Sequence, residues 1–180
     1  MSAGTTDGSG QAHLEDVAVG DELPTVVRNA SRVQLFLYSA ATWNPHRIHY
    51  DADYARFEGH PDVIVHGPLQ GAWLSQYVTD WAGPAGRILS LSWQNRASAL
   101  PETDYAFRGV VTKIDGDVVS LRVWEQSVDG AVLMPGEASV RLPRRAIGPD
   151  RSTSIRPGTR GGRRRPVVPT NRAQGTAWRT

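Results

Sequence analysis

One stretch, GPLQGAWLSQYVTDWAG from Gly67 to Gly83, reads as a single buried helix, and everything between it and Pro143 reads as strands and turns. Leu69, Trp73, Tyr77 and Trp81 recur every fourth residue with Leu74 and Val78 beside them. Apolar side chains therefore cover much of the circumference, as in a helix enclosed by other elements. Pro68 suits the first turn, where its missing N–H costs nothing, and Gly83-Pro84 stops the helix. Beyond Gly86, RILSLSWQNRA alternates and TDYAFRGVVTKI continues the extended pattern. Asp115-Gly116-Asp117 turns, VVSLRVWEQS alternates again, Asp129-Gly130 turns, and AVLMPGEASVRLP closes the series. One long helix followed by an antiparallel meander predicts an α+β fold, a curved antiparallel sheet wrapped around one long central helix.

Upstream, DVAVGDELPTVV carries turn chemistry at Gly20-Asp21 and then an extended apolar run. Ser31 is placed to cap a short helix in SRVQLFLYSAAT, where Val33 and Leu37, and Phe36 and Ala40, lie at helical spacing. Asp51 or Asp53 caps a further turn, ADYARF, before the break at Glu58-Gly59-His60-Pro61.

Charge divides the chain. Its net charge is +2, yet residues 1–143 hold ten basic and seventeen acidic groups, because ten Arg and one acid fall from Arg144 onward. That tail is rich in Arg, Gly, Pro, Ser and Thr, without apolar periodicity, and cannot bury enough surface to offset the entropy of ordering it. The expected organisation is a disordered N-terminus at 1–14, one domain at 15–143 and a disordered Arg-rich tail at 144–180. GRRRP could touch nucleic acid, but without interleaved aromatics a solvated tail is the preferred reading. The absence of Cys removes disulfides, thiolate metal sites and Cys nucleophiles, and fits a reducing compartment, so a cytoplasmic location is expected. No window approaches a membrane span, and no secretory leader is visible.

Two stretches carry chemistry. In TWNPHRIHYD, Thr42–Asp51, Asn44 and His49 supply an orienting amide and a group that exchanges protons near neutral pH, which suits abstraction or return of an α-proton. The same residues also suit a polar turn, with His49 as a structural hydrogen-bonder. In VHGPL, the turn before the long helix, the first backbone amides have no intrahelical partners, and Gly67 leaves them open to a carbonyl oxygen gaining negative charge. Other chemistries fit less well. There is no Gly-rich phosphate loop and no HExxH spacing, and Ser39 and Ser75 lack nucleophile-elbow context. His46, His49 and Asp51 lack a clear further ligand, so no metal is expected.

SAATWNPHRIHYDADYAR followed by VIVHGPLQGAWLSQYV resembles the MaoC-like hydratase and dehydratase family, which has a hot-dog fold. The resemblance runs from about Glu15 to Pro143 and is strongest to the branch with an N-x-H-R-I-H-Y-D motif, which includes 3-hydroxyacyl-thioester dehydratases and itaconyl- or mesaconyl-CoA hydratases. It implies reversible hydration of a trans-2-enoyl thioester on CoA or acyl carrier protein, without a metal or redox cofactor. It further implies a homodimer, or a heterodimer with another MaoC-like subunit. His49 becomes the principal acid-base group and Asn44 the residue that positions water or the substrate hydroxyl. Gly67 and the following amides bind the thioester carbonyl, with His66 and Pro68 lining the site. Arg47 either meets a CoA or pantetheine phosphate or stays in solvent, and Asp51 orients an imidazole if it shares a strand face with His49. Thr42 stands where the commoner G-D-x-N-P-I-H pattern has its Asp; a hydroxyl can hold water but cannot act as a base near pH 7. Two other outcomes follow from that loss or from the fold: a catalytically weakened acyl-thioester-binding subunit of a heteromeric dehydratase, or a thioesterase.

Overall fold

In the computed structural model, which describes residues 10–145, the expected central helix is α3, Gly67–Ala82. Five short elements lead up to it: β1 (Val26–Arg28), α1 (Arg32–Ala41), α2 (Ala52–Phe57) and two 3-10 turns, Leu14–Asp16 and Arg47–His49. Four strands follow it: β2 (Arg87–Trp93), β3 (Tyr105–Asp115), β4 (Val118–Gln126) and β5 (Val132–Arg141). All pairings are antiparallel, in the order β1-β3-β4-β5-β2. The chain thus leaves α3 into the edge strand β2 and returns through the meander to enclose the helix, as the α+β reading expects.

Alternation decides which residues meet the helix. Phe107 and Val111 of β3, Val119, Leu121 and Val123 of β4, and Met134, Ala138 and Val140 of β5 are buried together with Leu69, Trp73, Leu74, Tyr77, Val78 and Trp81 of α3. Phe107 is the hub: the Trp73 ring meets it edge-on at 6.2 Å and the Tyr77 ring at 6.4 Å. Burying a side chain of this size contributes about 1.5–3 kcal/mol. Two glycines let the layers close. A Cβ on Gly71 would lie 2.3 Å from the Trp93 indole, and one on Gly136 would lie 2.6 Å from the Ser92 carbonyl oxygen.

Ser31 caps α1 by accepting from the Gln34 N–H at 3.1 Å. The helix buries Leu35 and Ser39, while Val33, Phe36, Leu37 and Ala40 face outward. Its apolar spacing therefore marks an exposed stripe and not the core face.

The domain also starts earlier than residue 15. Gln11 donates to the Ala82 carbonyl at 2.7 Å and accepts from the Ala85 N–H at 2.8 Å, and the Leu14 N–H reaches Pro143 at 3.0 Å. A polar side chain that ties off the end of α3 leaves no hydrophobic signal in the sequence. Arg144 and Arg145, assigned to the tail, pair with Glu15 and Asp16. The rest of the two expected disordered segments, 1–9 and 146–180, lies outside the described residues. Among the described residues no helix is long and apolar enough to cross a membrane.

Candidate active site

His49 and His66 come from two different turns and stack face to face, ring centroids 3.7 Å apart and planes inclined by 20°. His49 closes the short 3-10 turn Arg47–His49, which follows Pro45. Its Nδ1 lies 2.8 Å from the Ile64 carbonyl oxygen. A neutral imidazole facing a carbonyl must carry its hydrogen on that nitrogen, which leaves the lone pair on Nε2. His66 is fully buried at the N-cap of α3, but its side chain does not cap the helix. Its Nε2 instead pairs with the Ser39 hydroxyl at 2.9 Å, and its Nδ1 has no hydrogen-bond partner among the described residues. Burial lowers the pKa of His49, and burial followed by the neighbouring His49 lowers that of His66 to about 4. Both rings are therefore neutral at pH 7, and a proton on one opposes a proton on the other.

The start of α3 offers less backbone than the sequence suggested. Pro68 has no N–H, and the amides of Leu69 and Gln70 both donate to the His66 carbonyl, at 3.0 and 3.1 Å. Only the Gly67 N–H remains without an acceptor among the described residues. The expectation that Gly67 and the following amides together cradle a carbonyl is corrected to one amide. Beside Gly67 stands Asn95, whose side-chain atoms would lie 3.2–3.3 Å from a Cβ at that position.

The other sequence candidates divide. Asn44 is half-buried; its N–H donates to the Ser39 carbonyl at 2.9 Å, which ties it to the residue that holds His66. The Asn44 side-chain oxygen accepts from the His46 N–H at 3.4 Å. Thr42 is the C-cap of α1, and its hydroxyl donates to the Tyr38 carbonyl at 2.7 Å, so it is spent on the helix end. Asp51 does not orient an imidazole: it sits past the 3-10 turn and not on a strand, caps α2 through the Tyr54 N–H at 3.0 Å, and pairs with Arg47 at 2.6 Å. Arg47 lies exposed over the Tyr54 ring, 4.4 Å from its centroid. Pro68 is exposed. Among the described residues no three His, Asp or Glu side chains are grouped as metal ligands.

Sequence reasoning passed over several residues here. In sequence Ser39 reads only as a serine without nucleophile context, yet it anchors His66. It also lines a cavity of about 190 Å³ together with Phe36, Ala40, Trp43, Pro45 and Tyr50. Trp43 is 88% exposed and holds a φ of 52°. It occupies the left-handed position just past the cap, where the Asn44 N–H reaches Ser39 and the Trp43 N–H reaches Ala40, a place that favours glycine. Deeper in, Glu125 is fully buried on the helix-facing side of β4 and accepts from Gln70 at 2.6 Å, and Asn95 in turn donates to Gln70 at 3.3 Å. The alternation Val119, Leu121, Val123, Glu125 already placed that carboxyl among inward positions.

Comparison with known proteins bears on this arrangement. Residues 12–100 match the family described as hydroxyacyl-thioester dehydratase type 2. The chain is 36% identical over 109 residues to a mesaconyl-C(4)-CoA hydratase of Chloroflexus aurantiacus, an alignment spanning 60% of this chain and 36% of that protein. It is 27% identical over 105 residues to the beta subunit of a 3-oxo-4,17-pregnadiene-20-carboxyl-CoA hydratase of Mycobacterium tuberculosis, covering 58% of this chain and 81% of the other. Among solved structures, a MaoC-like dehydratase superposes with a TM-score of 0.68 at 27% identity, over 74% of this chain and 43% of that one. The chain thus spans about a third of the length of the mesaconyl-C(4)-CoA hydratase.

Proposed function

We propose that the chain, as a MaoC-like hot-dog hydratase or dehydratase, interconverts trans-2-enoyl and 3-hydroxyacyl thioesters of CoA or acyl carrier protein. The observation that carries this reading is the neutral, buried His49–His66 stack at the start of α3.

In the hydration direction, His49 takes a proton from water through Nε2 as the water oxygen bonds to the β-carbon. The protonated His49 then gives that proton to the α-carbon, which restores both the neutral thioester and the neutral imidazole. Charge that builds on the thioester oxygen in between meets the Gly67 N–H and the positive end of α3. The half-buried Asn44 helps to order the water, and the buried His66, held by Ser39, forms the wall behind His49. The reaction needs neither metal nor redox cofactor, since a proton and a hydroxyl are all that move. Thr42 has no part in it, and Arg47 remains a candidate for a substrate phosphate.

The test is loss of enoyl absorbance when the purified chain meets crotonyl-CoA. His49→Ala should lower turnover at least ~100-fold, the usual worth of general acid-base catalysis. Undiminished turnover in a folded His49→Ala protein would remove that residue from the mechanism, and release of free thiol would point to a thioesterase.

A second reading, favoured by the M. tuberculosis relative being one subunit of its hydratase, is that this chain works beside a second hot-dog chain. It predicts acyl-CoA binding without turnover by the isolated chain, and turnover restored by the missing partner. A homodimer is the simpler assembly, and light scattering on the purified chain distinguishes the two.

A further inference from the structure

Stabilising the thioester oxygen takes well-aimed hydrogen-bond donors, yet the helix start offers a single free amide, that of Gly67. Immediately beside it lies the Asn95 side chain, the surface end of a chain of three hydrogen-bonded groups that runs inward through Gln70 to Glu125. We propose that Asn95 is the second donor to the thioester oxygen, and that the buried Glu125 carboxyl, acting through Gln70, sets whether Asn95 presents its NH2 or its oxygen beside Gly67. The inference rests on the hydratase reading for its substrate and on this geometry for the relay.

The donor and acceptor inventory of the three side chains makes the relay two-valued. An ionised Glu125 only accepts, so Gln70 turns its NH2 inward and its oxygen outward. Asn95 must then donate to Gln70, which leaves the Asn95 oxygen toward Gly67. The structure holds the inner part of that arrangement: Gln70 donates to Glu125, Asn95 donates to Gln70, and the Asn95 amide lies 3.2–3.3 Å from where a Gly67 Cβ would stand. A protonated Glu125 can donate through its O–H. Gln70 then reverses, its NH2 points outward to the Asn95 oxygen, and Asn95 turns its own NH2 toward Gly67. The first state sets an acceptor against the developing oxyanion, and the second adds a donor.

Several features suit Glu125 to this task. Oε1 is buried with no hydrogen-bond partner among the described residues, so the carboxyl is incompletely satisfied as an anion. Gln70 faces it from α3, while Phe107 of β3 and Met134 of β5 are its register partners on the flanking strands, and none of the three ionises. Tyr77, farther along α3, is pushed by burial above its ordinary range and stays neutral throughout. Burial, opposed only by the Gln70 bond, raises the Glu125 pKa to about 7. The relay therefore turns over near neutral pH.

The readout is the pH profile of kcat/KM for crotonyl-CoA hydration. The wild-type profile should rise on the acid side as His49 loses its proton and fall on the alkaline side as Glu125 ionises. Glu125→Gln keeps a group able to donate to Gln70 at every pH. It should abolish the alkaline fall and exceed wild type about tenfold at pH 8, the ratio expected one unit above the transition. Asn95→Ala, at an exposed position that folding does not depend on, should flatten the same limb at the lower level. An alkaline limb that persists in folded Glu125→Gln or Asn95→Ala protein overturns the proposal.

A second measurement separates the relay from the hydratase reading. The side-chain NH2 resonances of Gln70 and Asn95 should titrate together near pH 7 in wild type and stay fixed in Glu125→Gln. Inactivity of wild type toward every enoyl thioester would sink the functional reading while this titration still decides the relay. NH2 resonances that do not move with pH would sink the relay even in an active enzyme.

Discussion

Replacing Glu125 with glutamine should change the pH dependence of stability as well as of activity, and the size follows from the structure. Burial raises the carboxyl from an ordinary 4.5 to about 7 in the folded chain. Between those values the folded protein holds a proton that the unfolded chain has already released. That stabilisation is fully present below pH 4.5 and is lost as pH rises through 7. At 1.36 kcal/mol per pH unit it amounts to about 3 kcal/mol, a large share of a typical domain stability of roughly 5–15 kcal/mol. Glutamine has the same shape and no charge, so its stability relative to wild type should be about 3 kcal/mol better at pH 8.5 than at pH 4.5. The difference between the two pH values matters, because any fixed cost of burying an extra N–H cancels in it. His49 and His66 act with the opposite sign. The lowered value of His66 means that its stabilisation is intact above pH 6.5 and declines as pH falls toward 4, and the downward shift of His49 acts in the same direction. In wild type the two trends offset each other between roughly pH 4.5 and 6.5, whereas Glu125→Gln should lose stability steadily toward acid. Urea unfolding followed by tryptophan fluorescence at four or five pH values measures both curves. A substitution effect that is the same at pH 4.5 and pH 8.5 would refute the reasoning, for it would mean that Glu125 titrates alike in folded and unfolded chains.

Two further substitutions probe the frame around the site. Trp43→Gly should stabilise the fold by about 1 kcal/mol, because glycine enters the left-handed conformation without the Cβ penalty, and should raise KM if the exposed indole meets the substrate; thermal unfolding and substrate kinetics read the two effects separately, and a destabilised variant would show that the indole is held by contacts worth more than the strain. Gly136→Ala should destabilise by about 1–3 kcal/mol, since its methyl group would come within 2.6 Å of the Ser92 carbonyl oxygen and force β2 away from β5; a denaturation midpoint equal to wild type would show that the edge strand yields freely.

What the sequence disclosed and what it withheld follow from the range of the interactions involved. Period and alternation are local, so α3 and the meander were legible from Leu69-Trp73-Tyr77-Trp81 and from the alternating strands. The site was legible as a set of residue types and illegible as geometry. The spacing of His49 and Asp51 invited a shared strand face, but Pro45 and the Asp51 cap fold that segment into a turn and a helix start, which sends the carboxylate to Arg47. The imidazole partners lie elsewhere: Ile64 for His49, 15 residues on, and Ser39 for His66, 27 residues back. In sequence the missing Asp at Thr42 puts the acid-base pairing in doubt. In the folded chain Thr42 ties off α1, and among the described residues the one buried carboxylate near the helix start comes from β4, 55 residues beyond Gln70. Glu125 does not replace the lost aspartate as a base, since it is fully buried behind Gln70. What it can supply is polarity at the thioester oxygen, a contribution that leaves proton transfer to His49.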